Sequence, residues 1–200
     1  MTYVSWYGQT RTGLAQLQRS LIDIEAGVAR QRIWNPELVI GLVQTEDYAR
    51  AVLSACIEVQ GVPNDVEDTV TARMQRQLIL DRDPHTFEFL IGEWALHRTV
   101  GSAEVMIAQI KALIDDLDSR PNLRIGIVPL NTEFRSPTGG FVIHDSAAVE
   151  IETVTGEVIT ASPDDVALAE RTFALLQDQA VYGDDARVVL TRALATHTDH

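Results

Sequence analysis

The chain has 200 residues, 46% hydrophobic and 22% charged, which suits a folded domain with a sizeable core. Its formal net charge of −13 repels phosphate backbones and anionic membrane faces, so we expect no direct binding to nucleic acid or to a membrane. Residues 1–20 lack the apolar core of a secretion signal, no apolar run is long enough to span a bilayer, and Cys56 is the only cysteine, so we expect a cytoplasmic protein without disulfides.

The first third of the chain shows helical periodicity. Apolar residues recur at helical spacing over roughly residues 10–31, which predicts an amphipathic helix. Thr45 can cap a second helix, because a threonine hydroxyl accepts a hydrogen bond from the first turn. Asn64 begins a capping-box pattern for a third helix, which Pro84 would end.

The middle of the chain predicts a strand–helix–strand unit. Apolar side chains alternate over residues 86–91, which favours a strand. Ser102 then caps a helix, and residues 123–128 form a second apolar run of strand length. We expect the two strands to be parallel and joined by a right-handed crossover.

The last third predicts a short meander followed by helices. The sequence PTGG over residues 137–140 predicts a turn. Three short strands are then expected at residues 141–144, 149–154 and 157–160. Ser162 and Pro163 open a helix to about residue 180, and another helix covers about residues 184–195.

These elements predict an α+β fold, in which N-terminal helices precede a βαβ unit and a short meander in one mixed sheet, with C-terminal helices after it. We expect residues 1–32 to form an N-terminal helical arm, residues 33–196 a single α+β domain, and residues 197–200 a frayed tail.

Three polar residues follow the first strand of the βαβ unit. Glu93, His97 and Arg98 lie where parallel sheets place ligands, beyond the carboxyl ends of the strands. They can hold an anionic ligand or transfer a proton. They equally suit a structural network in which Glu93 pairs with Arg98 and His97 is exposed.

His144 and Asp145 offer a second candidate, since a histidine with a carboxylate can act as a general base with its orienting partner. Adjacent residues on a strand point to opposite faces, however, which argues against direct cooperation. No cysteine and histidine spacing fits a zinc site and no phosphate-binding motif occurs, so we expect neither a metal nor a cofactor.

Aromatic residues mark a third candidate site. Trp34, Asn35 and Tyr48 lie around a proline bend, where such side chains can wall a small-molecule pocket or belong to the core. Trp94 and Arg98 would add to the same ligand-binding group.

Four blocks of the sequence resemble one known family. The first block reads WNPELVIGLVQTEDYARAVL over residues 34–53. The others are RMQRQ over residues 73–77, EWALHRTVG over residues 93–101, and the stretch 120–141 with RPNL, VPL and GGF. In this order they resemble the C-terminal domain of unknown function of actinomycete regulators, where it normally follows a helix-turn-helix of the xenobiotic-response-element type. The resemblance covers about residues 15–195.

The resemblance implies a binding module. Those regulators are described as antitoxin-like and often sit beside a small partner protein, so we expect a domain that binds a small molecule or a small protein partner, with homo-oligomers possible. These 200 residues contain no helix-turn-helix of their own. We therefore expect either a piece of a longer regulator or a domain that works without a DNA-binding unit.

Three departures from the family pattern motivate an alternative. Trp34 stands where a tyrosine is common, Trp94 where a small residue is usual, and His97 where an arginine is usual. The alternative hypothesis is a cofactor-independent cyclase, lyase or hydrolase recruited into natural-product biosynthesis. Glu93, His97 and His144 would then be its acid and base groups.

Overall fold

The computed structural model describes residues 1–135 and 139–198 and shows a mixed α+β fold, which confirms the predicted class. The strands are β1 Thr2–Ser5, β2 Arg30–Asn35, β3 Thr86–Gly92, β4 Leu123–Val128, β5 Phe141–His144, β6 Ala148–Glu152 and β7 Gly156–Thr160. The helices are α1 Trp6–Thr10, α2 Ala15–Ala26, α3 Glu46–Gln60, α4 Val66–Gln77, α5 Trp94–His97, α6 Ala103–Asp116, α7 Pro163–Gln177 and α8 Gly183–Thr198, with 3-10 turns at Gly41–Val43 and Leu78–Asp81. The turn predicted at residues 137–140 lies partly outside the described residues.

The strands form one seven-stranded sheet in the order β1-β7-β6-β5-β2-β3-β4. β2, β3 and β4 are mutually parallel, and every other neighbouring pair is antiparallel. The predicted βαβ unit is confirmed as β3, α6 and β4, with parallel pairing between the two strands. β2 is the boundary of the two halves, because it pairs in parallel with β3 and antiparallel with β5.

The N-terminal helix is shorter than the sequence predicts. α2 covers only part of the expected range 10–31, and Gly27 follows its last turn. The flanking residues join the sheet instead: β1 pairs with β7, and β2 lies between β3 and β5. Residues 1–32 therefore contain strands as well as helices. Pairing with distant strands overrides the local helical period here.

Two of the predicted caps are confirmed by hydrogen bonds. The Thr45 hydroxyl accepts from the Tyr48 N–H at 3.4 Å, and the Ser102 hydroxyl accepts from the Val105 N–H at 3.4 Å. Ser162 makes no such side-chain bond. The first turn of α7 instead contains Pro163 and two acidic residues. Pro163 needs no N–H partner, and the acids interact favourably with the helix dipole.

The apolar residues of the parallel strands divide between the two faces of the sheet. Phe89 and Ile91 of β3 pack into the larger core with side chains of α6 and α8. Leu90 points to the other face and packs with Phe173 of α7. A third apolar cluster lies between α3 and α4. Among the described residues, no helix combines the length and the apolar character needed to cross a bilayer.

The last helix continues into the tail that the sequence predicts to fray. α8 extends to Thr198, and His197 is 7% exposed. The His197 Nε2 lies 2.8 Å from the Leu96 carbonyl oxygen, so the tail is tied to α5. Residues 199 and 200 lie outside the described part of the chain.

Candidate functional site

Glu93 connects the ends of two parallel strands. It follows β3 directly and is only 6% exposed. Its N–H donates to the Val128 carbonyl at 2.9 Å, and its Oε2 accepts from the Leu130 N–H at 2.8 Å. The carboxylate therefore fixes the loop after β4 against the loop after β3, at the edge where the sequence predicts a site.

His97 is brought to Glu93 by the short helix α5. The His97 Nε2 lies 3.5 Å from the Glu93 Oε1, and the histidine side chain is partly exposed. Arg98 does not complete this group, because its Nη1 donates to Glu37 Oε2 at 3.1 Å in an exposed ion pair. The structure thus assembles the predicted carboxylate–imidazole pair and directs the guanidinium elsewhere.

His144 is far from that pair. It lies opposite Gln31 of β2, which in turn lies opposite Phe87 near the start of β3. Glu93 comes six residues after Phe87, and a strand rises about 3.3 Å per residue, so about 20 Å separates the two levels. Glu93, His97 and His144 are therefore not assembled into one acid/base group.

Asp145 does not orient His144 either. Its backbone has a φ of 51°, and its carboxylate accepts from the backbone N–H groups of Ala29 and Arg30 at 3.1 and 2.6 Å. His144 instead places its Nε2 3.3 Å from the Oε2 of Glu150. The predicted pairing of neighbours is thus replaced by two separate contacts.

The residues predicted to wall a pocket have structural roles. Trp34 is 6% exposed in the core beneath α7, and Tyr48 is fully buried. The Tyr48 hydroxyl accepts from the Val39 N–H at 3.2 Å, and burial raises the pKa of this phenol. The Asn35 Oδ1 accepts from the N–H groups of Glu37 and Leu38 at 3.0 Å each, which stabilises the turn after β2. These contacts account for Tyr48 and Asn35, whereas the buried Trp34 Nε1 has no hydrogen-bond partner among the described residues.

Among the large apolar side chains that are exposed, Trp94 and Leu130, at 53% and 58%, both adjoin Glu93. Trp94 follows Glu93, and Leu130 is hydrogen-bonded to it, so both flank the same buried carboxylate. Arg98 lies one helical turn after Trp94, and its N–H donates to the Trp94 carbonyl at 3.2 Å. We call Trp94, Arg98 and Leu130 the edge patch. The sequence signals Trp94 by its size at this position, but it gives no signal for Leu130, whose exposure follows from the path of the loop.

Sequence reasoning also missed a buried polar network on α4. Arg73 donates to Gln18 and Gln44 at 2.7 and 2.8 Å, while Arg76 pairs with Glu25 and donates to Gln18 at 2.7 Å. Burial, with the nearby charge of Arg76, lowers the pKa of Arg73 to about 9. The sequence did contain a signal for this network: Gln18 and Glu25 are polar residues in a helix that buries one face, so they need polar partners.

Comparison with known proteins gives a family but no activity. The model of a domain of unknown function, DUF5753, matches residues 18–192. No curated protein sequence matches the chain. Among solved structures, NucT from Helicobacter pylori is similar, with a TM-score of 0.47 and 13% identity over 91% of this chain and 98% of that one. Similarity at that level transfers no activity. The family match covers most of the chain, and the chain therefore belongs to the DUF5753 family.

Proposed function

We propose that this chain is a binding module that captures a protein partner on the edge patch. The observation that carries the proposal is the exposure of Trp94 and Leu130 on either side of the buried Glu93. Tryptophan and arginine are the residues most enriched among those that dominate protein–protein binding energies. The edge patch offers both, in Trp94 and Arg98.

The hydrogen bonds of Glu93 hold the backbone of the edge patch in place before any partner binds. The Glu93 carboxylate holds the Leu130 backbone, and its N–H holds the end of β4, so little ordering remains to be done on binding. The formal charge of −13 favours a partner with a basic surface, because long-range attraction raises the rate of encounter.

A protein fits this surface better than an enclosed small molecule does. The two aromatic side chains of the opening segment, Trp34 and Tyr48, are buried in the core. The resemblance to antitoxin-like regulators, which often have a small partner protein, supports the same choice. We propose a cytoplasmic setting for this interaction, and a second copy of the chain is one protein that can occupy the patch.

The experiment compares three tagged chains expressed in the cells that naturally produce the protein: wild type, Trp94→Ser and Leu168→Ser. Leu168 is a matched control, since it is 57% exposed on α7, away from the edge patch. Loss of a central aromatic contact typically costs 2 kcal/mol or more, which is about a 30-fold loss of affinity. We expect one protein to co-purify with wild type and Leu168→Ser and to be lost with Trp94→Ser.

Native mass spectrometry of the same samples identifies the occupant. A second copy of the chain that dissociates in Trp94→Ser would identify a homo-oligomer as the bound state. Equal recovery of every co-purifying protein with all three chains would contradict the proposal, provided that circular dichroism shows all three to be folded.

A further inference from the structure

Polar side chains line one face of the antiparallel half of the sheet, far from the edge patch. Gln31 and His144 lie directly opposite each other on β2 and β5. Glu150 lies opposite Val142, which is two residues before His144 on β5. Glu150 also lies opposite Ile159 on β7, and Glu157 is two residues before Ile159. Because side chains alternate between faces, all four project from the same side of the sheet.

A row of neighbouring side chains runs from Gln9 to His144, and Gln31 lies opposite its last member. Gln9 of α1 donates from its Nε2 to the Glu157 Oε1 at 2.9 Å. The carboxyl groups of Glu157 and Glu150 are close enough to influence each other's pKa, and the Glu150 Oε2 lies 3.3 Å from the His144 Nε2. We call Gln9, Gln31, His144, Glu150 and Glu157 the acceptor cluster.

Three buried polar atoms of the acceptor cluster have no partner: the Gln9 Oε1, the Gln31 Oε1 and the His144 Nδ1. Gln31 is only 3% exposed, and it faces His144 across the strand pair. Buried polar atoms in native proteins are almost always hydrogen-bonded, so three open atoms on one face indicate a place for a ligand.

All of the open atoms are acceptors. The two glutamine oxygens can only accept, and when the His144 Nε2–H points to Glu150, the Nδ1 carries a lone pair. The ligand that satisfies them must bring several N–H or O–H donors.

The charge of the surroundings indicates the sign of that ligand. Four carboxyl groups act on this region, those of Glu25, Glu150, Glu152 and Glu157, against the two guanidinium groups of Arg73 and Arg76. Burial, with the nearby charge of Glu150, raises the pKa of Glu157, so this carboxyl holds its proton more readily. Burial opposes ionisation of Glu150 as well, but the contact with His144 lowers the pKa of Glu150 below its ordinary value. Burial, with the nearby charge of Glu150, raises the pKa of Glu152 as well. Of the three carboxyl groups on β6 and β7, Glu150 is thus the one whose ionised form is favoured, and its negative charge favours a cation.

A groove provides a route to the acceptor cluster. It has a volume of about 410 Å³ and lies between α1 and α2, where Gln9, Gln16 and Leu17 form part of its wall. Gln9 belongs both to this wall and to the acceptor cluster, because its carboxamide holds Glu157. A ligand that enters from the groove would have to displace the Gln9 side chain and pass Arg11 on the same wall.

We propose that the acceptor cluster binds the primary ammonium group of a small molecule. The ammonium supplies three N–H donors and one positive charge, which match the open acceptors Gln31 Oε1 and His144 Nδ1 and the carboxylate of Glu150. The organic part of the ligand would lie toward the groove beside Gln9. This site does not depend on the edge patch, and its success or failure leaves the proposed protein-binding function untouched.

Butylammonium is the probe, and butanol at the same concentration is the neutral control. The ring signals of His144 are followed by NMR at constant ionic strength. We expect the His144 ring signals to shift and saturate with butylammonium and to stay in place with butanol. An equal response to both probes, or no saturable shift with either, would overturn the proposal and leave the open atoms to water.

Matched variants locate the site. Gln31→Leu removes one open acceptor and keeps the size of the side chain, so it should fold and bind butylammonium at least 10-fold more weakly. Gln75→Leu makes the same change at an exposed position of α4, outside the groove and the acceptor cluster, and should leave the affinity unchanged. Glu150→Gln tests the charge with an isosteric side chain and should abolish saturable binding. Unchanged affinity in Gln31→Leu and Glu150→Gln would contradict the proposed site.

Discussion

Asp65 joins two helices through one carboxylate. Its two oxygens accept from the Leu14 and Ala15 N–H groups at 3.0 and 2.9 Å, at the start of α2, and Asp65 itself precedes α4. The Thr69 hydroxyl donates to it as well, at 3.0 Å. Burial opposes ionisation of this carboxyl, but the hydrogen bonds outweigh it and lower the pKa of Asp65.

Replacing Asp65 by alanine should therefore destabilise the protein. Hydrogen bonds to a charged group typically contribute 1.5–3 kcal/mol, so we expect a loss of about 2 kcal/mol in the free energy of unfolding at pH 7, measured by urea denaturation. Asp68→Ala is the control, since Asp68 is exposed in the first turn of the same helix and should change stability by less than about 0.5 kcal/mol.

The pH dependence of this loss has a defined sign. A carboxyl with a lowered folded pKa adds stability above the unfolded value of about 3.9, and that stability disappears as the pH falls through the folded value. The difference between wild type and Asp65→Ala should thus shrink below about pH 4. A difference that stays constant down to pH 2 would show that the charge of Asp65 is not what holds α2.

At the scale of elements, the sequence predicted what depends on local pattern. β3 was found because apolar residues alternate within it, β4 because it is an apolar run of strand length, and α3 and α6 because Thr45 and Ser102 make local caps. β1 and β2 were not found, since their pairing depends on strands more than 50 residues away. The polar start of β2 disguises it, because Arg30 and Arg32 are paired with distant glutamates only after folding.

In the candidate site, too, the sequence predicted the local arrangement but not the contacts between distant segments. Glu93 and His97 were predicted together, and their spacing of four residues within one turn brings them together. His144 was assigned to the same group, but its place depends on β5 pairing antiparallel with β2, which no local pattern reveals. Exposure of Leu130 and the row from Gln9 to His144 likewise arise from tertiary contacts.

α8 gives a test of whether the C-terminal tail belongs to the folded domain. His197 is buried and lies 2.8 Å from the Leu96 carbonyl, so His197→Ala should remove a hydrogen bond and leave that oxygen unpaired. We expect a loss of about 1–3 kcal/mol in unfolding free energy. Thr198→Ala, at the next and exposed position, should be nearly neutral. Two variants of equal stability would mean that the tail frays as the sequence alone predicts.

At the scale of the whole molecule, the division of the sheet separates two surfaces. The parallel strands β2, β3 and β4 end at the edge patch, while the antiparallel strands carry the acceptor cluster on one face. The two are joined through β2, which belongs to both halves. The edge patch and the acceptor cluster nevertheless share no residue, so a substitution in one leaves the side chains of the other in place, and the two proposals can be tested separately.

The net charge of −13 determines how the stability of the whole fold responds to salt. The chain has 29 acidic and 16 basic residues, so repulsion between carboxylates acts over the whole surface. Several exposed ion pairs oppose it, such as those of Arg98 and Arg187, but exposed pairs typically contribute less than about 1 kcal/mol each. Repulsion should therefore dominate the response of the protein to salt.

We expect the thermal midpoint of unfolding to rise as sodium chloride increases from 10 to 150 mM at pH 7. The screening length falls from about 30 Å to about 8 Å over this range, which removes most of the repulsion between distant carboxylates and weakens the ion pairs less, because their charges are in contact. Differential scanning calorimetry measures the midpoint, and potassium chloride and sodium fluoride at equal ionic strength are the controls, since screening does not depend on which ion is used. A midpoint that falls with ionic strength in all three salts would mean that the ion pairs, rather than the excess of acidic residues, govern the electrostatic stability of this fold.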